Sequence, residues 1–147
     1  FTILELLIVI AVISILVGMA LPRFKGMQDE GNTAKAKGEL RTIQTAVESI
    51  KMHTGSYPAD ITTATLGAAV PQIISVTPAD PFNGANIYGY RVSTNGNYYV
   101  IYSVGPNGRA EILGIGATGV LRGRLLGIRP MMGDDIYVSN GQSQSGG

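Results

Sequence analysis

The sequence predicts an α+β fold in which a long N-terminal hydrophobic helix packs, through its C-terminal half, on a small antiparallel β-sheet. Three observations carry this. An aliphatic run fills Phe1 to Leu21. An apolar stripe at Ala36, Leu40, Ile43, Val47 and Ile50 follows with the 4, 3, 4, 3 spacing of a helix face. Two alternating strand candidates then flank an Asn-Gly turn. The 147 residues suit one head domain and not two. The chain divides into a membrane-type helix at 1–22, an amphipathic half of that helix at 23–54, a globular head with a hairpin at 55–138 and a flexible tail at 139–147.

In FTILELLIVIAVISILVGMAL only Thr2, Glu5, Ser14 and Gly18 interrupt the apolar run, and Glu5 is its one charged side chain. A helix of this length spans about 31 Å, close to the thickness of a bilayer core. No basic residue precedes the run and the first residue is Phe, the expectation for a proteolytically processed chain rather than an intact signal peptide. Glu5 is the anomaly, because a carboxylate in a membrane costs roughly 2.5–3.5 kcal/mol at mid-helix and less near an end. The run holds no Lys, Arg or His, so the nearest cation is the α-amino group of Phe1, from the same chain or a neighbouring copy. The residues point to self-association, with Glu5 answering an N-terminal amine.

Pro22 removes a backbone hydrogen bond and clashes with the preceding turn, and Gly18 adds weakness, so a kink is expected there. Beyond it, Lys35, Lys37, Glu39, Arg41, Gln44, Glu48 and Lys51 lie between the stripe residues and face solvent or neighbouring subunits. Gly55, with Pro58 just after, stops the helix. His53 falls in its last turn, where an imidazolium complements the helix dipole. Pro58, Pro71, Pro78 and Pro81 make Ser56–Pro81 a loop with one short helical or extended piece at Gln72–Val76.

Strands at Ile87–Val92 and Tyr98–Val104 enclose the Asn95-Gly96 turn, with Tyr98, Val100, Tyr102 and Val104 on one face and Tyr99 and Ile101 on the other. A third strand is expected at Arg109–Leu113. The stretch Ile112–Met132 has no clean period but is too apolar to stay exposed. It packs on its own sheet or forms a subunit contact in which Arg122, Arg124 and Arg129 meet acids such as Glu39 or Glu48.

Composition excludes several functions. With 11 Lys+Arg against 10 Asp+Glu the chain has no basic excess for nucleic acid. Zero Cys removes disulfides, thiolate metal sites and thiol nucleophiles, and a single His removes multi-His metal sites. No Gly-x-Ser-x-Gly and no phosphate-binding Gly-x-x-x-x-Gly-Lys is present, and no catalytic constellation can be assembled. The expectation is not an enzyme.

Phe1-Thr2-Ile3-Leu4-Glu5-Leu6-Leu7, the apolar run and Pro22 resemble the mature N-terminus of type IV pilins and type II secretion pseudopilins. The resemblance implies that a prepilin peptidase cuts a basic leader before Phe1 and methylates its amine. It implies that Glu5 pairs with Phe1 of a neighbour, that helix 1–22 lies in the inner membrane and then in a filament core, and that the stretch around Gly18 and Pro22 unwinds on assembly. Asp80-Pro81-Phe82-Asn83-Gly84, Tyr88-Gly89-Tyr90 and Tyr99 to Gly105 are similar to the head of the major pseudopilin. Phe82 stands where that pattern has Trp, and Asn107 where it has an acid. Major pseudopilins often hold calcium in the loop after the hairpin, which makes Asp134 and Asp135 candidate ligands.

Two roles follow. The first is a major subunit of an extracellular type IV pilus, a helical homopolymer built by partner assembly machinery. The alternative is the major pseudopilin of a periplasmic filament that drives type II secretion.

Overall fold

The computed structural model describes residues 1–126, 129–131 and 133–141. Helix α1 runs Ile3–Thr54, and its backbone is helical at both Gly18 and Pro22. The break expected at Gly18 and Pro22 belongs to the assembled filament, not to this single chain. One missing hydrogen bond does not end a helix whose neighbouring turns retain theirs. The unwinding implied by the resemblance concerns the assembled state. The chain separates into two compact units, Phe1–Asn32 and Thr33–Gly147.

Phe1–Asn32 has no core. Every large apolar side chain from Phe1 to Met27 is exposed, Val9 being the least so at 47%. The helix is long and apolar enough to cross a membrane.

Thr33–Gly147 is organised around the predicted stripe. Ala36, Leu40, Ile43, Val47 and Ile50 are buried against Tyr88, Tyr90, Tyr99 and Ile101. These aromatic and aliphatic groups sit on one face of a sheet made of β1 (Gly89–Val92), β2 (Tyr99–Ser103) and β6 (Ile136–Ser139), in the order β1-β2-β6 and antiparallel throughout. The register sets Tyr90 opposite Ile101 and Tyr102 opposite Tyr137. The hairpin closes where expected: Ser93 N–H donates to the Tyr98 carbonyl at 2.8 Å, and Gly96 takes a φ of +70° that a side chain would resist. Gly89 is needed for another reason, since a Cβ there would strike the ring of Tyr102.

The other sheet face is also covered. Strands β3 (Ile112–Ile115), β4 (Leu121–Leu126) and β5 (Arg129–Met131) form a second antiparallel sheet. Ile112, Ile115 and Leu121 bury Val100 and Tyr102. Of the apolar stretch after residue 111, Ile112, Ile115 and Leu121 thus pack on the chain's own sheet, while Leu113 stays 60% exposed and the side chains from 124 to 132 lie outside the description. Its first strand starts at Ile112 rather than Arg109, because the amides of Glu111 and Ile112 both donate to Asp135 Oδ2, at 2.9 and 2.7 Å.

Three further expectations are corrected. The short element of the loop is not at Gln72–Val76 but is a helix, α2, at Thr63–Gly67. Thr62 caps it by accepting the Thr65 N–H, and Asp60 Oδ1 accepts from Thr62 N–H and Thr65 Oγ1, while Leu66 anchors it in the core. Second, Glu39 and Glu48 are engaged within the chain. Glu39 accepts from the Tyr88 hydroxyl and pairs with Lys35, and Glu48 accepts from Tyr99 at 2.7 Å and Tyr57 at 3.3 Å. Burial, reinforced by these carboxylates, pushes the Tyr88 and Tyr99 hydroxyls up, so they remain donors. Third, the tail is fixed at its start. Ser139 ends β6, and the Asn140 side chain accepts from Tyr99 N–H at 2.8 Å and donates to the Asn97 carbonyl at 3.0 Å. Residues 142–147, and the side chains of Arg124 and Arg129, lie outside the description.

Candidate assembly and cation sites

The first site is the helix start. Thr2 N–H donates to Glu5 Oε2 at 2.8 Å, Thr2 Oγ1 donates to the same oxygen at 3.1 Å, and Glu5 N–H donates to Thr2 Oγ1 at 3.2 Å. This is a reciprocal capping box, in which side chains satisfy backbone donors that a helix start leaves orphaned. It holds the Glu5 carboxylate at a defined place on the helix. No ion pair joins Glu5 to Phe1 of the same chain among the described residues. A neighbour's amine therefore has no intrachain ion pair to displace. The Thr-x-x-Glu spacing at Thr2 and Glu5 is the signal that carries this cap in the sequence.

The second site lies where the chain enters and leaves the β3–β5 sheet. Asp134 and Asp135 do come together, and the structure adds Glu111. One carboxylate oxygen of each lies within 4.8 Å of the others. Asn107 sits beside them, its N–H donating to Asp134 Oδ2 at 2.8 Å and its Nδ2 donating to Glu111 Oε1 at 2.9 Å. Glu111 carried no linear signal, because only folding brings it next to residues more than twenty positions away.

Three observations test this site against calcium. Glu111 Oε2 and Asp135 Oδ1 are the buried side-chain oxygens left without a partner among the described residues, and both belong to the cluster. Such orphaned acceptors cost about 1–3 kcal/mol each. Two glycines make room for the carboxylates. A Cβ on Gly133, at φ +53°, would lie 2.6 Å from Glu111 Oε2, and one on Gly105, at φ +67°, would strike the Asp134 carbonyl. The donors are hard oxygens, the type calcium takes. The residues fit the ion. Without it, burial pushes the Asp135 carboxyl up to about 7; Glu111 adds to this, and the Ile112 and Glu111 amides oppose it.

Asp80 is a third acid at a turn, and it is structural. Fully buried, it accepts from Ser103 Oγ at 2.7 Å, Val104 N–H at 3.0 Å and Phe82 N–H at 3.0 Å.

Comparison with known proteins gives this arrangement a family. The family model described as type II secretion system (T2SS), protein G matches residues 23–118, well over half of the chain. The chain belongs to the type II secretion system protein G family. A relative from Dickeya chrysanthemi is 27% identical over 153 aligned residues, covering all of this chain and 92% of that protein. One from Klebsiella pneumoniae is 24% identical over 82% of this chain and 85% of its own, and one from Escherichia coli 25% identical over 81% of each. All three are named type II secretion system core protein G. No solved structure matches the chain. These relatives favour the secretion reading, given above as the alternative, over the extracellular pilus that stood first. The protein G match includes Asn107 and Glu111 and ends before Asp134 and Asp135.

Proposed function

We propose that this protein G family member is the major structural subunit of a periplasmic type II secretion pseudopilus. It rests in the inner membrane through Phe1–Leu21 and then polymerises through the same helix. The observation that supports this most directly is the presence, in one chain, of a protein G head and an N-terminal helix whose large apolar side chains are exposed among the described residues. Lipid covers such a surface before assembly and neighbouring copies cover it afterwards. Because lipid is as apolar as the helices, assembly draws on packing, head contacts and neutralisation of Glu5 by the N-methylated amine of a neighbour's Phe1. The stretch around Gly18 and Pro22 unwinds in that state. The role is not enzymatic, and the partners are other copies, the prepilin peptidase and the secretion machinery.

The second part of the proposal is a structural calcium ion held at the loop of Asp134 and Asp135. The ion supplies positive charge to three crowded carboxylates and satisfies two buried oxygens that otherwise lack partners.

The test is expression in a secretion-competent strain lacking its own protein G. The absence of Cys lets engineered cysteine pairs report contacts between copies without background. Wild-type chain should form crosslinked ladders in the envelope fraction and carry N-methylated Phe1 by mass spectrometry. Glu5→Ala should lower the ladders at least tenfold while membrane insertion is unchanged. Long surface fibres built of this chain would return the pilus reading, and a Glu5→Ala chain that assembles normally would remove the pairing.

A further inference from the structure

The sequence departs from the pseudopilin head pattern at Asn107, which brings a neutral amide where that pattern has an acid. Taken alone, this leaves the cation loop with the two charges of Asp134 and Asp135. The structure places a third carboxylate four residues further on. Glu111 Oε2 is buried without a partner, and its other oxygen, Oε1, accepts from Asn107 Nδ2 at 2.9 Å. The amide therefore occupies one oxygen of Glu111 and leaves the other unpaired. Through its backbone N–H, Asn107 also fixes Asp134 Oδ2. Gly133 has no side chain where a Cβ would lie 2.6 Å from Glu111 Oε2.

We propose that Glu111 is the third carboxylate ligand of the calcium site in this chain, and that Asn107 has become its positioning residue. The charge lost at one position of the loop is returned at another. This inference rests on the calcium reading above. It has a structural consequence, because the ligands sit at both ends of the second sheet. Glu111 immediately precedes β3, and Asp134 and Asp135 immediately precede β6. An ion held by all three ties together the entry and exit of the whole 112–131 excursion. It thereby holds Ile112 and Ile115 over Val100 and Tyr102.

The experiment is calorimetric titration of calcium chloride into the full chain in detergent micelles, paired with amide hydrogen exchange. Wild-type protein should bind one ion, and calcium should slow exchange in Glu111–Ile115 and Gly133–Ile136. Glu111→Gln should weaken binding at least tenfold and remove that protection. The double variant Asn107→Asp with Glu111→Gln restores three carboxylates and should recover most of the affinity. It also keeps the test decisive if Glu111→Gln alone folds poorly. Glu111→Gln binding like wild type, while Asp135→Asn does not bind, overturns the assignment of Glu111 and leaves the calcium reading intact. A folded double variant that does not bind overturns the exchange of charge between 107 and 111. A wild-type chain that takes up no calcium overturns both readings at once.

Discussion

Phe1–Asn32 and Thr33–Gly147 use apolar residues in opposite ways. In the first, the apolar residues surround the helix and none of the large ones is buried. In the second, they recur on one stripe, and Leu40, Ile43 and Val47 are fully buried against the sheet. A stripe with helical period needs one surface, which a sheet from the same chain supplies. A helix that is apolar all round needs cover on every side, which a chain of this size does not provide. The hydrophobic pattern alone thus separates the region that folds the protein from the region proposed to meet lipid and other copies.

Paired truncations test this contrast most strongly. Leu40→Ala should destabilise Thr33–Gly147 by about 2–5 kcal/mol, the range for emptying a buried leucine site. Leu7→Ala, an equal loss of side chain at an exposed site, should leave that unfolding transition in place. Urea unfolding of the full chain in detergent, followed by tyrosine fluorescence, reads both, since the seven tyrosines all lie at or beyond position 57. Equal destabilisation by the two variants would break the comparison.

What could be read from the sequence follows the same division. The stripe, the Asn95-Gly96 hairpin and the two faces of Tyr98–Val104 were all legible, because each rests on local periodicity or local turn chemistry. The second sheet was not. Its stretch holds five glycines, at 114, 116, 119, 123 and 127, and a register shift between Ile112 and Gly114 that spoils alternation. Glu111 was invisible for a different reason: only tertiary structure sets it beside Asp135. Thr2 is legible by its Thr-x-x-Glu spacing, whereas the Thr62 cap has no Glu or Gln three residues on to mark it.

Asp80 gives the next largest effect. Asp80→Ala leaves the Ser103 hydroxyl, the Val104 amide and the Phe82 amide without their acceptor. Unsatisfied buried donors cost about 1–3 kcal/mol each, and partial access to water lowers the sum to about 3 kcal/mol. The same urea experiment measures it. The loss should fall wholly on Thr33–Gly147, with crosslinks through Phe1–Leu21 unchanged per folded molecule. A loss of those crosslinks without a loss of stability would mean that the Asp80 turn is itself an assembly surface.

The smallest effect is a pH dependence confined to the cation site. The Asp135 carboxyl is raised to about 7 in the folded, ion-free chain, first by burial, against 3.8 as its ordinary value. The folded state therefore holds the proton more tightly than the unfolded state. Its contribution to stability is complete below about pH 4 and is lost as pH rises through 7. Calcium at the proposed site would act in the opposite direction, because it binds the carboxylate that remains when the proton leaves. The ion-free chain should lose a few degrees of Tm between pH 5 and 8, and the increment from added calcium chloride should grow over the same interval. In Asp135→Asn both slopes should flatten. An increment in the wild-type chain that is independent of pH would place the ion away from Asp135, and with it the tie between the two ends of the second sheet.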